Sequence, residues 1–302
     1  MNESALRAAL DDEFRENRRR LWDMAYRLTG TVSDADDVVQ ETFTRALATP
    51  PPDTSAPWLP WLVRVTMNVG RDHLRRRKTR GYAGPWLPAP IESEAVEPSP
   101  TSEQRYGLAE SATFAFLLAL EALTPTARAL VVLRDVFDLT VAETAVALQL
   151  TEANVRTRHH RARKILDGYD RSRRRSPLPE AQRLFARLLA AMQAQDLDAV
   201  RAVLAVDVRS LSDANGQFIA AARPVEGQER VARFLVGMAA LGTGVARARP
   251  CTMNGAPALL MVFTDARRPG DAPRSLLRVE TEGGVITRLH WVMATDKLAH
   301  LA

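Results

Sequence analysis

The hydrophobic period of this chain changes class once, and that change excludes a single uniform fold. Through about residue 168, apolar side chains recur at spacings of three and four; after Ser176-Pro177 they fall into short β-rich runs bounded by glycine. Leu21, Met24, Ala25 and Leu28 make one helical stripe that stops at Thr29-Gly30. Ser33 is the predicted N-cap of the next helix, with Asp34, Asp36 and Asp37 at the positive end of its dipole and Val38, Val39, Phe43, Ala46 and Leu47 as its buried stripe. Pro50-Pro51-Pro52 breaks the chain, and a third helix is predicted from Pro57 to Arg77 through Trp61, Leu62, Val65, Val69 and Leu74.

Residues 81–107 hold Gly81, Gly84, Pro85, Pro88, Pro90, Pro98 and Pro100 with four acids, the composition of a linker without its own core. Within it Trp86-Leu87-Pro88 stands out, because a tryptophan in a linker normally docks somewhere. Residues 108–168 read as helices again. Thr124-Pro125 is a helix start, Thr140 and Glu143 are spaced as a capping box, and Gln149-Leu150-Thr151 is a short turn into a basic helix over 152–167. Two short helices joined this tightly form a helix-turn-helix pattern. Beyond residue 178 the reading is a helix over 179–204, a hairpin over 206–222 turning at Asn215-Gly216, and a helix near Gln228 to Ala240. Strands are predicted at Ala258–Thr264, Ser275–Thr281 and Val285–Met293, making an α+β unit.

Lysine and arginine total 41 against 36 acids, a net charge of +5, and only Lys78, Lys164 and Lys297 are lysines. The charge is concentrated. Residues 71–80 carry six basic side chains against one acid, and residues 156–175 carry nine against two. Two basic islands suit two contacts with a polyanion, and arginine suits bidentate contact with phosphate and guanine. On the helix 152–167, Val155, Ala162 and Leu166 share a face while Arg156, Arg158 and Arg161 lie mostly elsewhere, as a helix lying in a major groove requires. Thr151 is placed to cap it, which puts Asn154 and Arg156 in its first turns. On the third helix Trp61, Arg64, Asn68, Arg71 and Asp72 recur at three or four, with Arg75 one turn on from Arg71. An aromatic ring and an amide among cations suit unstacked single-stranded bases.

Two segments, LTGTVSDADDVVQETFTRAL and WLVRVTMNVGRDHLRRRK, resemble the promoter-melting domain of bacterial sigma factors. A third, ALTPTARALVVLRDVFDLTVAETAVALQLTEANVRTRHHRARKIL, resembles their second DNA-reading domain. With only a short linker between them, the chain is similar to the extracytoplasmic-function group. Residues 180–300 resemble a SnoaL-like domain, the α+β cone of polyketide cyclases and ketosteroid isomerases, and Trp86-Leu87-Pro88 matches a linker motif of sigma factors that carry this extension. Their DGGGK-like loop corresponds to Asp213-Ala214-Asn215-Gly216-Gln217, which lacks the lysine, and their NPDKL-like terminus to Ala294-Thr295-Asp296-Lys297-Leu298. Two positions depart from the helix-turn-helix pattern: Gln149 stands where glycine is usual in the turn, and His159 where an apolar residue is usual, which weakens the expected packing of the recognition helix.

The resemblance implies two all-α sigma domains, 8–80 and 108–170, a linker over 81–107, and an α+β SnoaL-like domain over 178–302. It implies core RNA polymerase docking at Asp36, Asp37, Gln40 and Glu41. A melted proximal promoter element would be contacted by Trp61, Arg64, Asn68, Arg71, Asp72 and Arg75. The double-stranded distal element would be read by Thr151, Asn154, Arg156, Thr157, Arg158 and Arg161. Regulatory contacts would join Trp86, Leu87 and Pro88 to Asp213, Gly216, Asp296, Lys297 and Leu298.

The alternative is a one-component regulator that binds DNA without polymerase and senses a small ligand through the SnoaL-like domain. Enzyme motifs fail: there is no G-x-S-x-G, P-loop or complete G-x-G-x-x-G, and His73, His159, His160, His290 and His300 show no metal spacing. Arg278 and Glu280, like Arg288 and His290, alternate on strand faces that read as an outer or docking surface rather than a catalytic cavity. No cofactor is expected. The lone Cys251 allows no internal disulfide, and no apolar run is long enough for a membrane span, so a cytoplasmic setting is expected.

Overall fold

Gly30, at a left-handed φ of 80°, ends helix α1 (Glu3–Thr29), and the chain becomes extended at Thr31 before α2 (Val32–Ala48). The cap is therefore Thr31 and not Ser33: its hydroxyl accepts the Asp34 amide at 3.2 Å. Helix α3 (Leu59–Arg80) starts at Leu59-Pro60, two residues later than the sequence indicates. It crosses α1 closely at Gly70, where a Cβ would come within 2.6 Å of Leu28 Cδ2. Leu21, Met24 and Leu28 of α1, Val39 and Phe43 of α2, and Leu62 and Met67 of α3 make the core between the three.

The computed structural model describes residues 3–93, 108–171, 176–240, 244–264 and 269–301. Part of the expected linker, 94–107, lies outside the described residues. The chain forms two units, and neither is continuous in sequence: Met1–Gly81 with Glu97–Arg171, and Tyr82–Val96 with Ser172–Ala302.

The first unit continues through α4 (Leu108–Ser111), α5 (Phe114–Leu120) and α6 (Pro125–Val131), the last extended by a π-helical turn over Val132–Val136. Thr124 caps α6, and the capping box of Thr140 and Glu143 starts α7 (Val141–Leu148). Gln149 takes the left-handed conformation itself, at φ 54° and ψ 49°, before α8 (Glu152–Arg171). The core of α1 to α3 runs on into Ala129, Leu130, Leu133, Ala145 and Leu148. Polar ties reinforce the packing: Arg77 donates twice to Glu121 at 2.8 Å, Arg128 meets the same carboxylate at 2.8 Å, and Arg27 Nε donates to Ser111 Oγ at 2.7 Å. His159 does not weaken α8 as expected. It is buried, with Nε2 2.8 Å from Asp135 Oδ2, and Arg163 Nε donates to the same carboxylate at 3.1 Å.

The second unit begins with α9 (Leu178–Gln193) and α10 (Leu197–Ala202) rather than one helix over 179–204. Gln195 turns left-handed, at φ 53°, and Asp196 caps the new start. Strands β1 (Leu204–Asp213), β2 (Val225–Glu226), β3 (Val245–Met253), β4 (Ala256–Phe263), β5 (Arg274–Glu282) and β6 (Val285–Val292) follow, with α11 (Gln228–Ala240) after β2 and α12 (Thr295–Leu298) at the end. The sheet order is β2-β1-β6-β5-β4-β3, with β1 and β6 parallel. Leu188, Val231 and Leu235 of α9 and α11 pack with Val208, Leu277, Val279, Leu289 and Trp291, the α+β cone expected of this segment.

The expected hairpin over 206–222 is absent. Asn215 and Gly216 do turn, both at positive φ, but β1 pairs with β6 on one edge and with only two residues of β2 on the other. The two-residue hairpin lies at Asn254-Gly255, joining β4 to a strand, β3, that the sequence reading missed. Residues 82–93 are not a coreless linker either, since Leu87 and Ala89 are fully buried within this unit. Nor do Arg278 and His290 form an outer surface. Both are buried, with Arg278 donating to the Met253 carbonyl at 3.1 Å and meeting Glu280 at 2.9 Å.

Candidate functional site

Three patches lie on the first unit. On α8, Val155, Ala162 and Leu166 are buried, and Thr151, Asn154, Arg156, Thr157, Arg158 and Arg161 are all exposed. The Thr151 hydroxyl accepts the Asn154 amide at 3.3 Å, fixing the first turn, and Arg156 is tied to Glu152 at 2.7 Å. Such a helix, held by one apolar face and exposed on its cationic face, can enter a major groove and pair with flanking phosphates.

On α3, Trp61, Arg64 and Asn68 are half-buried and line a shallow groove with Arg45, Ala48, Thr49 and Gln149. The aromatic face thus adjoins the turn between α7 and α8. Arg71 donates to Asn68, and the exposed Arg75 pairs with Asp72 at 2.5 Å. Burial lowers the Arg71 guanidinium, and Arg75 adds to that effect.

On α2, Asp36, Asp37 and Gln40 are exposed and Glu41 is half-buried. Asp36 accepts the Trp22 indole N–H at 2.8 Å, and Glu41 pairs with Arg45 at 2.8 Å. Asp37, Gln40 and Glu41 share a groove with Asp72, His73 and Arg76. His73 Nδ1 lies 3.3 Å from Asp34 Oδ1, and Asp34, Asp37 and His73 bring their ligand-type atoms within 4.8 Å of one another.

The fourth site is in the second unit, where the side chain of Asp213 is fully buried at the end of β1. Its Oδ1 accepts the Tyr82 hydroxyl at 2.5 Å, and its Oδ2 accepts the Leu87 amide at 2.7 Å and Lys297 Nζ at 2.6 Å. Lys297, equally buried, also donates to the Leu87 carbonyl and lies 4.6 Å from the Tyr82 ring centre and 4.7 Å from that of Trp86. Each charge therefore has a partner, the condition for burying an ion pair. Gly216 lets the strap pass, since a Cβ there would meet Ala83 Cβ at 3.0 Å. Gln217, at the place of the missing lysine, accepts the Thr295 amide at 2.9 Å. Pro88 and Leu298 are buried nearby in the same unit; Asp296 is exposed in the first turn of α12 and is not among these contacts.

Sequence reasoning missed several strap contacts. Tyr82 lies outside the WLP triplet. Asn254 accepts the Ile91 amide at 2.9 Å, His300 Nε2 lies 2.6 Å from the Pro90 carbonyl, and Glu92 pairs with Arg249. The Asn-Gly pair at 254–255 was the one available signal, because it marks the turn that presents Asn254.

The family models that match are Sigma-70 region 2, over residues 14–80, and Sigma-70 region 4, over residues 113–166. The chain is similar to the ECF RNA polymerase sigma factor SigJ of Mycobacterium tuberculosis, 39% identical over 231 residues, covering 75% of this chain and 72% of that protein. It is also 29% identical over 287 residues to the probable ECF RNA polymerase sigma factor SigI of the same species, covering 94% and 93%. The crystal structure of SigJ aligns with a TM-score of 0.69 at 28% identity, over 95% of this chain and 98% of that one.

Proposed function

The chain belongs to the extracytoplasmic-function RNA polymerase sigma factors, and we propose that its second unit regulates the first through the strap of residues 82–93. As a sigma factor it acts with core RNA polymerase and promoter DNA to direct transcription. In this reading the acidic face of α2, at Asp36, Asp37, Gln40 and Glu41, docks on a basic polymerase surface, where opposite charge speeds and orients encounter. Trp61, Arg64, Asn68, Arg71, Asp72 and Arg75 capture the unstacked strand of the proximal element. Thr151, Asn154, Arg156, Thr157, Arg158 and Arg161 read the distal duplex. The work is binding and strand capture, with no covalent step. The setting is the cytoplasm; none of the described helices is long and apolar enough to cross a membrane.

The observation that carries the regulatory part is the Asp213–Lys297 pair closed over Leu87. A buried charge pair between the end of β1 and α12, clamping the segment that leads out of α3, ties the course of the connector to the state of the second unit. The test is transcription in vitro with core polymerase, comparing the full chain, a truncation after Arg175, and Asp213→Ala. Both variants are expected to alter initiation on one promoter at least threefold. Equal initiation by all three would refute the regulatory reading. In a separate pull-down, Asp37→Lys with Glu41→Lys should weaken co-purification with core polymerase while the circular dichroism spectrum stays unchanged. This reading differs from a polymerase-independent regulator, which has no use for an exposed acidic α2.

A further inference from the structure

One face of the second unit's sheet, with α9 and α11, lines a cavity of about 560 Å³, within the range of small-molecule sites. Its walls are largely apolar, with Met192 of α9, Phe234 of α11 and Leu259 and Met261 of β4 among them. Two polar groups break that lining. Trp291 Nε1 and Ser275 Oγ are buried, and neither has a hydrogen-bond partner among the described residues. Both side chains belong to the cavity lining. The register agrees: Ser275 pairs with Met261, and Trp291 pairs with Leu277 and Ser212, so all five side chains leave the sheet on one side. An indole N–H and a hydroxyl buried without a protein partner each carry a desolvation cost, which a ligand acceptor would relieve. Among the described lining residues there is no basic side chain to receive an anion such as a fatty acid carboxylate.

Strand β1 connects this cavity to the strap. Ser212 lines the cavity, and the next residue, Asp213, holds Tyr82, Leu87 and Lys297 on the opposite side of the strand. Beyond Asp213, the loop that passes Ala83 at Gly216 leads directly into Ile219, Ala220 and Ala221 of the cavity wall.

We propose that this cavity binds a neutral, rigid, apolar small molecule bearing one hydrogen-bond acceptor, received by Trp291 and Ser275, and that its occupancy tightens the hold of Asp213 on the strap. The second half rests on the regulatory reading of the strap; the first half stands without it.

The probe is benzanthrone, a fluorescent four-ring ketone, with benzanthrene, the same skeleton without the oxygen, as its competitor. Binding is measured on the free full-length protein, so its outcome is independent of any transcription result. Benzanthrone is expected to bind at one saturable site. Benzanthrene should bind about fivefold more weakly, the worth of one net hydrogen bond. Trp291→Phe combined with Ser275→Ala should erase that difference, and either change alone should reduce it. Ala248→Trp, at an exposed position on the rim, should block the site without disturbing the core. On saturation, hydrogen exchange at the Leu87 amide should slow at least threefold. Absence of saturable binding, equal affinity for the two skeletons, or full binding by Ala248→Trp would overturn the site. Unchanged Leu87 exchange at saturation would overturn the coupling.

Discussion

His290 sits among charges inside the second unit. It pairs in register with Arg278, whose Nη1 lies 3.3 Å from His290 Nδ1, and only a neutral ring can accept from that guanidinium. Burial pushes the imidazole down to about 4; Glu280 opposes this, and Arg278 and Arg288 add to it. The unfolded chain, with an ordinary histidine near 6.5, therefore binds the proton more readily than the folded one. Stability of the second unit should be level above pH 6.5 and fall by about 3 kcal/mol as pH drops toward 4. Denaturant titrations across that window should show the loss, and His290→Gln should flatten it. Asp135 behaves in the opposite sense. Burial raises its carboxyl, but hydrogen bonds from His159 and Arg163 lower it further, so it ends below the usual carboxylate range. Its contribution is intact at neutral pH and is lost only as pH falls through that lowered value. Asp135→Ala should cost about 2–4 kcal/mol by stranding His159 and Arg163.

Between α7 and α8 the turn depends on one residue held where glycine is at ease. Gln149 at φ 54° accepts a left-handed backbone with a side chain attached. Gln149→Gly should raise the midpoint of thermal unfolding by a few degrees, equivalent to about 1 kcal/mol, whereas Gln149→Val should lower it. On α8, replacing a phosphate-contacting arginine, with Arg158 or Arg161 the first to try, should flatten the log–log salt dependence of DNA binding by about one unit. Losing a base contact by Arg156→Ala should instead cost about 1–3 kcal/mol at one promoter position. At this scale the sequence was informative wherever the signal is local. Thr124-Pro125 and the Thr140–Glu143 box carry their own stop and start chemistry, and both appear where expected. Strand partners are not local. Asn215-Gly216 and Asn254-Gly255 look alike in sequence, yet only the second has a free neighbouring strand to pair with, because β1 is claimed by β6 from the far end of the chain. The departure at His159 was legible as unusual, but its partner lies 24 residues away on another helix.

Glu121 ties α3 to α6 in the first unit. Burial raises its carboxyl, while Arg128 and Arg77 lower it by more. These ties join the end of α3 to the start of α6 and help hold the groove of Trp61 and Arg64 beside Gln149. Glu121→Ala leaves the buried Arg128 without its carboxylate; it should cost about 1–3 kcal/mol and raise the radius of gyration of the free protein in solution scattering. Unchanged scattering and stability would show that the apolar core alone holds these helices together. The patches of α2, α3 and α8 could be read from sequence because each lies on one helix. The strap site drew on residues from 82 to 297, so motif resemblance suggested most of its members and geometry supplied Tyr82, Asn254 and His300. Its position along the chain also sets slack. With residues 82–93 held on the second unit, α4 is connected to that unit by residues 94–107, a reach of at most about 45 Å at roughly 3.3 Å per residue. Released, residues 81–107 become one leash between α3 and α4, with a reach of about 90 Å. The hold on residues 82–93, to which Asp213, Lys297, Asn254 and His300 all contribute, would therefore set how far α3 and α4 could separate if the contacts between them opened.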